Sequence, residues 1–213
     1  MIRVGLIGTV LWLLLPVASA RPVSYVGGWT VIAQSNRQAT SLWTHYTVNP
    51  NWSIGWRSEW DRALDFEYHG GQATWLARRW FGENYQGNVY AIGGVGAARG
   101  RGSLAGDVQP AVFTGLLADW ETRRWFTSYS ARVTDAGQLG SGFFQSLRLG
   151  FAPYVANTGA LHTWLMLELD HRPTFRHAFD VTPLVRLFKG GELFETGWRE
   201  QNKKAVINFT YRL

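Results

Sequence analysis

The alternation of large apolar and polar side chains with a period of two is the feature that most restricts what this chain can fold into. Around an Asn-Pro-Asn turn, one series reads Trp52, Ile54, Trp56 and Trp60, and the residues between them are Ser53, Gly55, Arg57, Glu59 and Asp61. Successive side chains of a β-strand point to opposite faces, so the pattern predicts a strand with one apolar and one polar face. The same alternation recurs at 161–170 and 207–213, and more weakly at 125–133 and 147–151.

Short turn signals recur at nearly even intervals along the chain. They are Asn49-Pro50-Asn51, Glu83-Asn84-Tyr85-Gln86, Glu121-Thr122-Arg123, Asn157-Thr158-Gly159 and Lys189-Gly190-Gly191. Longer polar segments separate them, at 62–72, 99–109, 135–142, 172–178 and 199–204. Short turns that alternate with longer loops are typical of outer-membrane barrels, and so are aromatic residues clustered beside the turns.

These patterns predict an all-β fold: a closed, antiparallel, up-and-down transmembrane β-barrel. Five tight turns that each join two strands, with one further strand at each end, give twelve strands. Ten strands are the alternative if 29–34 or 193–197 is not in the wall. The alternative is a soluble β-sandwich, in which the apolar faces would form the core and the polar faces would meet water.

The first 20 residues have the composition of a secretory signal peptide. Arg3 precedes an apolar run at 4–15, and Ala18-Ser19-Ala20 is a small-x-small cleavage site. We therefore predict a signal peptide at 1–20 and a single barrel domain at 21–213, exported to the outer membrane of a Gram-negative cell. No later segment has about 18 consecutive apolar residues, so no transmembrane helix is predicted in the mature chain.

The end of the chain carries a resemblance to a known class of proteins. Ile207, Phe209, Tyr211 and Leu213 alternate with Asn208, Thr210 and Arg212. This segment resembles the carboxy-terminal strand of bacterial outer-membrane barrels, which the outer-membrane assembly machinery recognises. Those strands usually end in Phe or Trp, whereas this one ends in Leu213. The resemblance implies an assembly signal formed by Phe209, Tyr211 and Leu213.

The parity of each strand sorts its residues between the two faces of the wall. An arginine facing lipid near the midplane costs about 2–4 kcal/mol, so we expect charged residues to face the lumen. The predicted lumen-lining residues are Arg57, Glu59, Asp61, Arg132, Arg148, Glu168, Asp170 and Arg186. The predicted lipid-facing and girdle residues are Trp52, Ile54, Trp56, Trp60, Trp80, Trp125, Phe209 and Tyr211. The charged set is compatible with a packed network that plugs the barrel and equally with a water-filled path.

The sequence offers little that points to catalysis or to a bound cofactor. Outer-membrane hydrolases of this architecture carry a His and a Ser on the barrel surface, but no His-x-Ser pair occurs on a predicted strand. His45 and His162 fall on strands, and His69, His171 and His177 fall in or near predicted loops. The chain has no cysteine, which excludes thiolate metal sites. The glycines at 93–100 are interpreted as strand residues that leave room for a neighbour. We predict no catalytic, cofactor or metal site and no enzymatic activity.

Three classes of function agree with a small barrel of this kind. The first is a narrow passive pore for small solutes. With Arg132, Arg148 and Arg186 on three strands, it is expected to prefer anions mildly. The second is a structural, adhesive or assembly-partner barrel with a plugged lumen, and the third is a lipid-modifying enzyme. The net charge is +6, and arginine binds phosphate well. The predicted partners are therefore outer-membrane lipid and lipopolysaccharide, the assembly machinery and small solutes, and not nucleic acid.

Overall fold

The computed structural model describes residues 21–35, 39–157, 159–174, 177–199 and 203–212. Within these ranges the chain forms twelve strands and two short 3₁₀ turns, Gly102–Leu104 and Gly137–Leu139. The strands are β1 Trp29–Ser35, β2 Ala39–Asn49, β3 Trp52–Asp61, β4 Phe66–Phe81, β5 Tyr85–Gly100, β6 Val108–Thr122, β7 Trp125–Asp135, β8 Ser141–Phe151, β9 His162–His171, β10 Phe179–Lys189, β11 Glu192–Arg199 and β12 Lys204–Arg212. In the described part of the chain, no helix has the length and apolar character needed to cross a membrane.

The twelve strands form one closed barrel in which each strand pairs with its neighbours in sequence. β1 closes the barrel by pairing antiparallel with β12, in a register that places Val31 opposite Tyr211 and Ala33 opposite Phe209. The prediction of a closed, antiparallel barrel with twelve strands is confirmed. The segments 29–34 and 193–197 both belong to the wall, in β1 and β11. The predicted signal peptide at 1–20 lies outside the described residues.

Strand β3 shows how the alternation produces the two faces of the wall. Trp52, Ile54 and Trp56 point outward and are 43%, 52% and 53% exposed. Arg57 and Glu59 point inward and are almost completely buried. Because the closed wall has no free edge, every strand can pair on both sides and present its alternate residues to the barrel interior.

The outer surface carries an apolar band that is bordered by aromatic side chains. Beside the tight turns, aromatic side chains pair across adjacent strands, as Trp29–Tyr46, Trp52–Trp75, Tyr85–Trp120 and Trp125–Phe151, with ring centroids 5.0–6.3 Å apart. Trp80, Phe209 and Tyr211 are also exposed. Trp60 is half-buried near the opposite end of the wall. Eight residues of tilted strand separate Trp52 from Trp60, a height of about 20 Å, close to the apolar band of membrane barrels.

Several connections differ from those that the sequence predicts. The tight turns after β2, β4, β6 and β10 are confirmed. The turn predicted at Asn157-Thr158-Gly159 is wrong, since β8 ends at Phe151 and β9 begins at His162. The loop predicted at 62–72 is also wrong, because β4 begins at Phe66. In both places, polar residues and glycine suggested the wrong boundary: Gly70 and Gly71 lie within a strand that pairs on both sides.

The glycines of β4 and β5 create space inside the barrel. A Cβ atom on Gly94 would come within 2.3 Å of the Phe113 ring, and one on Gly96 would lie 2.6 Å from the Gly70 Cα atom. The missing side chain of Gly94 leaves room for Phe113, which packs with Tyr68 and Leu139 in an apolar cluster, and that of Gly96 lets the β4 backbone lie close to β5. This agrees with the interpretation of 93–100 as a strand with space for a large neighbour.

Candidate functional site in the barrel interior

The eight charged residues that parity assigns to the lumen all point into the barrel. Six of them are fully buried, and Arg132 and Arg148 are partly buried. The fold brings them together in two clusters and places Asp61 and Asp170 apart from these. The first cluster, which we call the Glu59 cluster, consists of Glu59, Arg57 and Arg132. The second, which we call the Glu195 cluster, consists of Glu195, Arg148, Arg186 and Glu168.

In the Glu59 cluster one carboxylate binds two guanidinium groups. Arg132 on β7 donates to both oxygens of Glu59 on β3, at 2.5 and 3.1 Å, and Arg57 donates from Nε at 3.0 Å. The Arg57 guanidinium also lies 4.0 Å from the centroid of the Trp43 ring. Because β3 and β7 are four strands apart, this bidentate ion pair bridges the lumen. The cluster holds two arginines and one carboxylate.

In the Glu195 cluster the charges balance. Glu195 on β11 accepts from Arg186 at 2.7 Å, from Arg148 at 3.1 Å and from Asn208 at 2.9 Å. Arg148 also forms an ion pair with Glu168 on the neighbouring strand β9. Arg148 lies on β8, three strands away from Glu195 on β11, so this link also joins strands that are not neighbours. The network holds the β8–β12 side of the interior together.

Asp61 has a different role from the one that parity suggests. It lies at the end of β3 where the longer loops join the strands, which we call the loop end of the barrel. There its carboxylate accepts hydrogen bonds from the backbone N–H groups of Ala63 and Leu64 at 2.9 and 3.1 Å. Both of its oxygens also accept from Arg172, at 2.7 and 2.9 Å. Because Arg172 follows β9 on the opposite side of the barrel, this pair spans the loop-end mouth.

Further arginines gather at the same mouth. Arg199, at the end of β11, forms an ion pair with Asp180 at the start of β10. Burial and the nearby Arg199 guanidinium lower the pKa of Arg62 from its ordinary value. Burial is the larger cause of this lowered pKa, and the contribution of Arg199 places two guanidinium groups near each other, which favours the approach of anions to this opening.

Asp170 is buried beside hydroxyl groups. It lies opposite Ser146 on β8, which in turn lies opposite Ser130 on β7. Asp170 is 2% exposed, and it forms no ion pair within the described ranges. It therefore contributes a carboxylate that no arginine neutralises directly.

A segment that no sequence pattern marks enters the barrel at the end where the tight turns lie, which we call the turn end. Residues 21–24, which precede β1, are held by two kinds of contact. Arg21 forms an ion pair with Glu121, and the Ser53 hydroxyl donates to the Pro22 carbonyl at 2.7 Å. Val23 is completely buried, in an apolar cluster with Leu76 and Tyr90.

Backbone contacts hold the same segment at its other side. The Ser24 N–H donates to the Thr47 hydroxyl at 3.1 Å, and Arg79 donates to the Val23 carbonyl at 3.3 Å. Five strands contribute to the cluster and these contacts, so the segment is anchored to the wall and not simply lying in the opening. We call residues 21–24 the N-terminal plug.

Between these groups, the described residues line two cavities that bear on function. One of about 250 Å³ is lined by both charged clusters and by Arg21 of the plug. The other, of about 410 Å³, lies at the turn end against 82–86, 121–123 and 155–157. Both are lined by Arg186 and Leu193, so the side chains of these two residues separate an inner chamber from an outer one.

Other residues that lie in the interior were not predicted from the sequence. They include Arg21, Arg79, Asp119, Glu121, Arg172, Asp180, Glu195 and Arg199. Glu195 and Arg199 share their face of β11 with Leu193 and alternate with the exposed Phe194 and Trp198, so parity could have identified them had this segment been assigned to the wall. The plug and Arg172 lie outside strands, where no periodicity marks the side that faces the lumen.

Within the described residues no three His, Cys, Asp or Glu side chains are grouped so that they could hold a metal ion. His45 is buried inside the barrel next to Trp43, and His171 accepts or donates a 2.9 Å hydrogen bond with Gln145 on the outer face. His69, predicted to lie near a loop, belongs to strand β4 and faces outward.

Among the predicted outward residues, Trp125 is 58% exposed beside the turn after β6. Trp60 is covered on its ring by Arg62 and Arg101. Leu213, the last residue of the proposed assembly signal, lies outside the described residues. Phe209 and Tyr211 face outward on β12, the strand that closes the barrel.

Comparisons of the chain with models of known protein families, with curated proteins and with solved structures give no match.

Proposed function

We propose that this protein is an outer-membrane β-barrel that acts as a narrow passive channel for small solutes, with a mild preference for anions. The single observation that carries this proposal is the inner chamber of about 250 Å³, which is lined by charged side chains and adjoins a second chamber at the turn end. A packed core with no transport role has no need for buried charges around an open space. A solute path requires both the space and the polar lining.

The outer surface supports the membrane location. The exposed apolar band has a height of about 20 Å, and aromatic pairs border it beside the turns. Aromatic side chains are enriched at membrane interfaces because their rings are amphipathic. A water-soluble barrel would expose far less contiguous apolar surface.

The expected ion preference follows from how the charges are paired. The inner chamber is lined by five arginines and five carboxylates, so its net charge is near zero. The Glu59 cluster nevertheless carries one excess arginine, and Asp170 is an excess carboxylate on another part of the wall. We expect the crowded arginines at the loop-end mouth to tip the balance toward anions, because low-dielectric walls focus their field.

Reversal potentials in a planar bilayer under a potassium chloride gradient test this proposal. The wild-type channel is expected to show a small reversal potential of the sign set by chloride. Arg132→Gln removes the excess arginine and is expected to reduce the chloride preference, whereas Asp170→Asn is expected to increase it. If Asp170→Asn and Arg132→Gln shift the reversal potential in the same direction, or if the wild type prefers potassium, the assignment of selectivity is wrong.

A structural barrel is the second candidate, favoured by a specific observation. Ion pairs from β3 to β7 and from β8 to β11 cross the lumen, and the plug occupies the turn end. Such bridges stiffen the wall at the expense of open space. A purified, folded protein that gives no conductance in the bilayer experiment would support this candidate over the channel.

A further inference from the structure

The outer face of the barrel carries a serine and a histidine in direct contact. Ser58 on β3 and His69 on β4 lie opposite each other in the strand register. The Ser58 hydroxyl and His69 Nδ1 are 3.0 Å apart, and both side chains point away from the lumen. No local sequence motif indicates the pair, because Ser58 and His69 lie on adjacent strands and are eleven positions apart in the sequence.

A third side chain polarises this contact. The Trp56 indole Nε1 donates to the Ser58 oxygen at 3.2 Å. Because an indole N–H can only donate, the serine oxygen is the acceptor there and its own proton is free to point at His69 Nδ1. A hydroxyl that donates to a neutral imidazole is the arrangement by which a histidine activates a serine as a nucleophile.

The depth of the pair matches the position of acyl esters in a membrane. Ser58 lies two residues from Trp60, at the loop-end border of the apolar band, on the same outward face. In a bilayer, this border is where amphipathic rings meet the head groups and where the acyl chains begin. The pair therefore faces the layer in which lipid ester bonds lie.

Cations lie next to the pair on the head-group side. The guanidinium carbons of Arg62 and Arg101 lie 4.8 and 4.4 Å from the centroid of the Trp60 ring. Arg99 is exposed on β5, two residues beyond the partner of His69 in that strand. Guanidinium groups bind phosphate in bidentate fashion, so a lipid with a phosphorylated head group would place its acyl esters toward Ser58.

We propose that Ser58 and His69 form a nucleophile and general-base pair that hydrolyses acyl esters of phosphorylated membrane lipids. The Ser58 oxygen bonds to the acyl carbon while His69 takes the hydroxyl proton and passes it to the departing alcohol oxygen, whose bond to that carbon breaks. A water molecule from the head-group layer then attacks the acyl-serine, with His69 again accepting a proton. The fatty acid leaves, the proton returns to Ser58, and the net reaction is ester plus water giving alcohol plus fatty acid.

This activity lies beyond the proposed channel, since the pair is on the opposite face of the wall from the lumen. It can be tested with the full barrel reconstituted in phosphatidylethanolamine vesicles, in parallel with purified lipopolysaccharide as the other source of phosphorylated acyl ester. Free fatty acid is measured by mass spectrometry. A fluorophosphonate probe, which modifies activated serines, is applied in a second assay with peptide mapping.

The expected results are fatty acid release by the wild type from one of the two substrates and labelling at Ser58. Ser58→Ala should reduce release to background. His69→Gln keeps a hydrogen-bonding side chain but removes the base, and should reduce release by about 10²–10⁴-fold. Thr114→Val, which removes an exposed hydroxyl from the outer face of β6, is the matched control and should behave as wild type.

The variants also distinguish this proposal from the channel. Ser58→Ala should leave conductance unchanged, so loss of lipid hydrolysis says nothing against transport. Each variant is checked for the shift in gel mobility between unboiled and boiled samples that a folded barrel shows. No release by the wild type from either substrate, or release that Ser58→Ala and His69→Gln leave unchanged, would overturn the proposal and leave the pair as two polar groups that satisfy each other.

Discussion

Replacing Glu195 by alanine is expected to lower the free energy of unfolding by about 3–5 kcal/mol. Glu195 is 1% exposed and accepts from Arg148, Arg186 and Asn208. Removing its carboxylate leaves Arg186 buried without its ion pair, and Arg148 with only Glu168. A buried cation without a partner carries its full desolvation cost, which is why breaking such a pair destabilises far more than the intact pair stabilises.

The measurement is urea unfolding of the barrel folded in phospholipid vesicles, followed by tryptophan fluorescence. Glu192→Ala is the matched control, because Glu192 belongs to the same strand but is exposed, and it is expected to stay within about 0.5 kcal/mol of the wild type. Equal stabilities of the Glu195→Ala and Glu192→Ala proteins would show that the Glu195 cluster does not hold the interior together.

Deleting residues 21–24 is expected to increase the conductance of the channel several-fold. The plug occupies part of the turn end, with Val23 completely buried and Arg21 ion-paired to Glu121. Arg21 and Pro22 line the inner chamber, so removing the plug would open that chamber more widely toward the turn end. Single-channel conductance in a planar bilayer is the measurement, made on the wild type and on the deletion variant under identical salt conditions.

A matched control comes from the same segment of the chain. Val26 is 56% exposed and follows the plug without entering the barrel, so Val26→Ser should leave conductance unchanged. A deletion variant that folds but conducts no better than the wild type would contradict the assignment of 21–24 as the element that narrows the turn end.

Much of the wall could be predicted because its physics is local. In β3 and β9, the period of two fixes which side chains face inward, since each strand alternates its faces regardless of its partners. The eight predicted charged residues therefore all point inward. The apolar face followed by the same logic, as Trp52, Ile54 and Trp56 show.

What the sequence could not predict depends on which strands face each other across the barrel. Arg132 could have paired with any carboxylate of the interior, and its choice of Glu59 follows from the stagger and shape of the closed wall. The Ser58–His69 contact depends on the register of β3 against β4, and the loop predicted at 62–72 concealed that register. The plug has no periodicity at all, so only its contacts reveal where it lies.

The ion pairs of the interior are compatible with a packed ionic network and also with a solute path. Each bridging ion pair, such as Arg132–Glu59, blocks part of the lumen. It also leaves space beside it, because two side chains do not fill the whole cross-section of the barrel. The inner chamber of about 250 Å³ is the space that remains. A conducting barrel and a structural barrel would therefore differ in the position of the plug and of a few side chains near Arg186.

All of these expectations rest on the barrel lying in an outer membrane, with its exposed apolar band against lipid. The most direct measurement is to express the full chain in a Gram-negative host, separate the membranes on a density gradient and compare the gel mobility of unboiled and boiled samples. We predict that the protein is found in the outer-membrane fraction, resists extraction by carbonate and migrates faster when unboiled. Recovery as a soluble periplasmic protein, with the same mobility before and after boiling, would contradict the account.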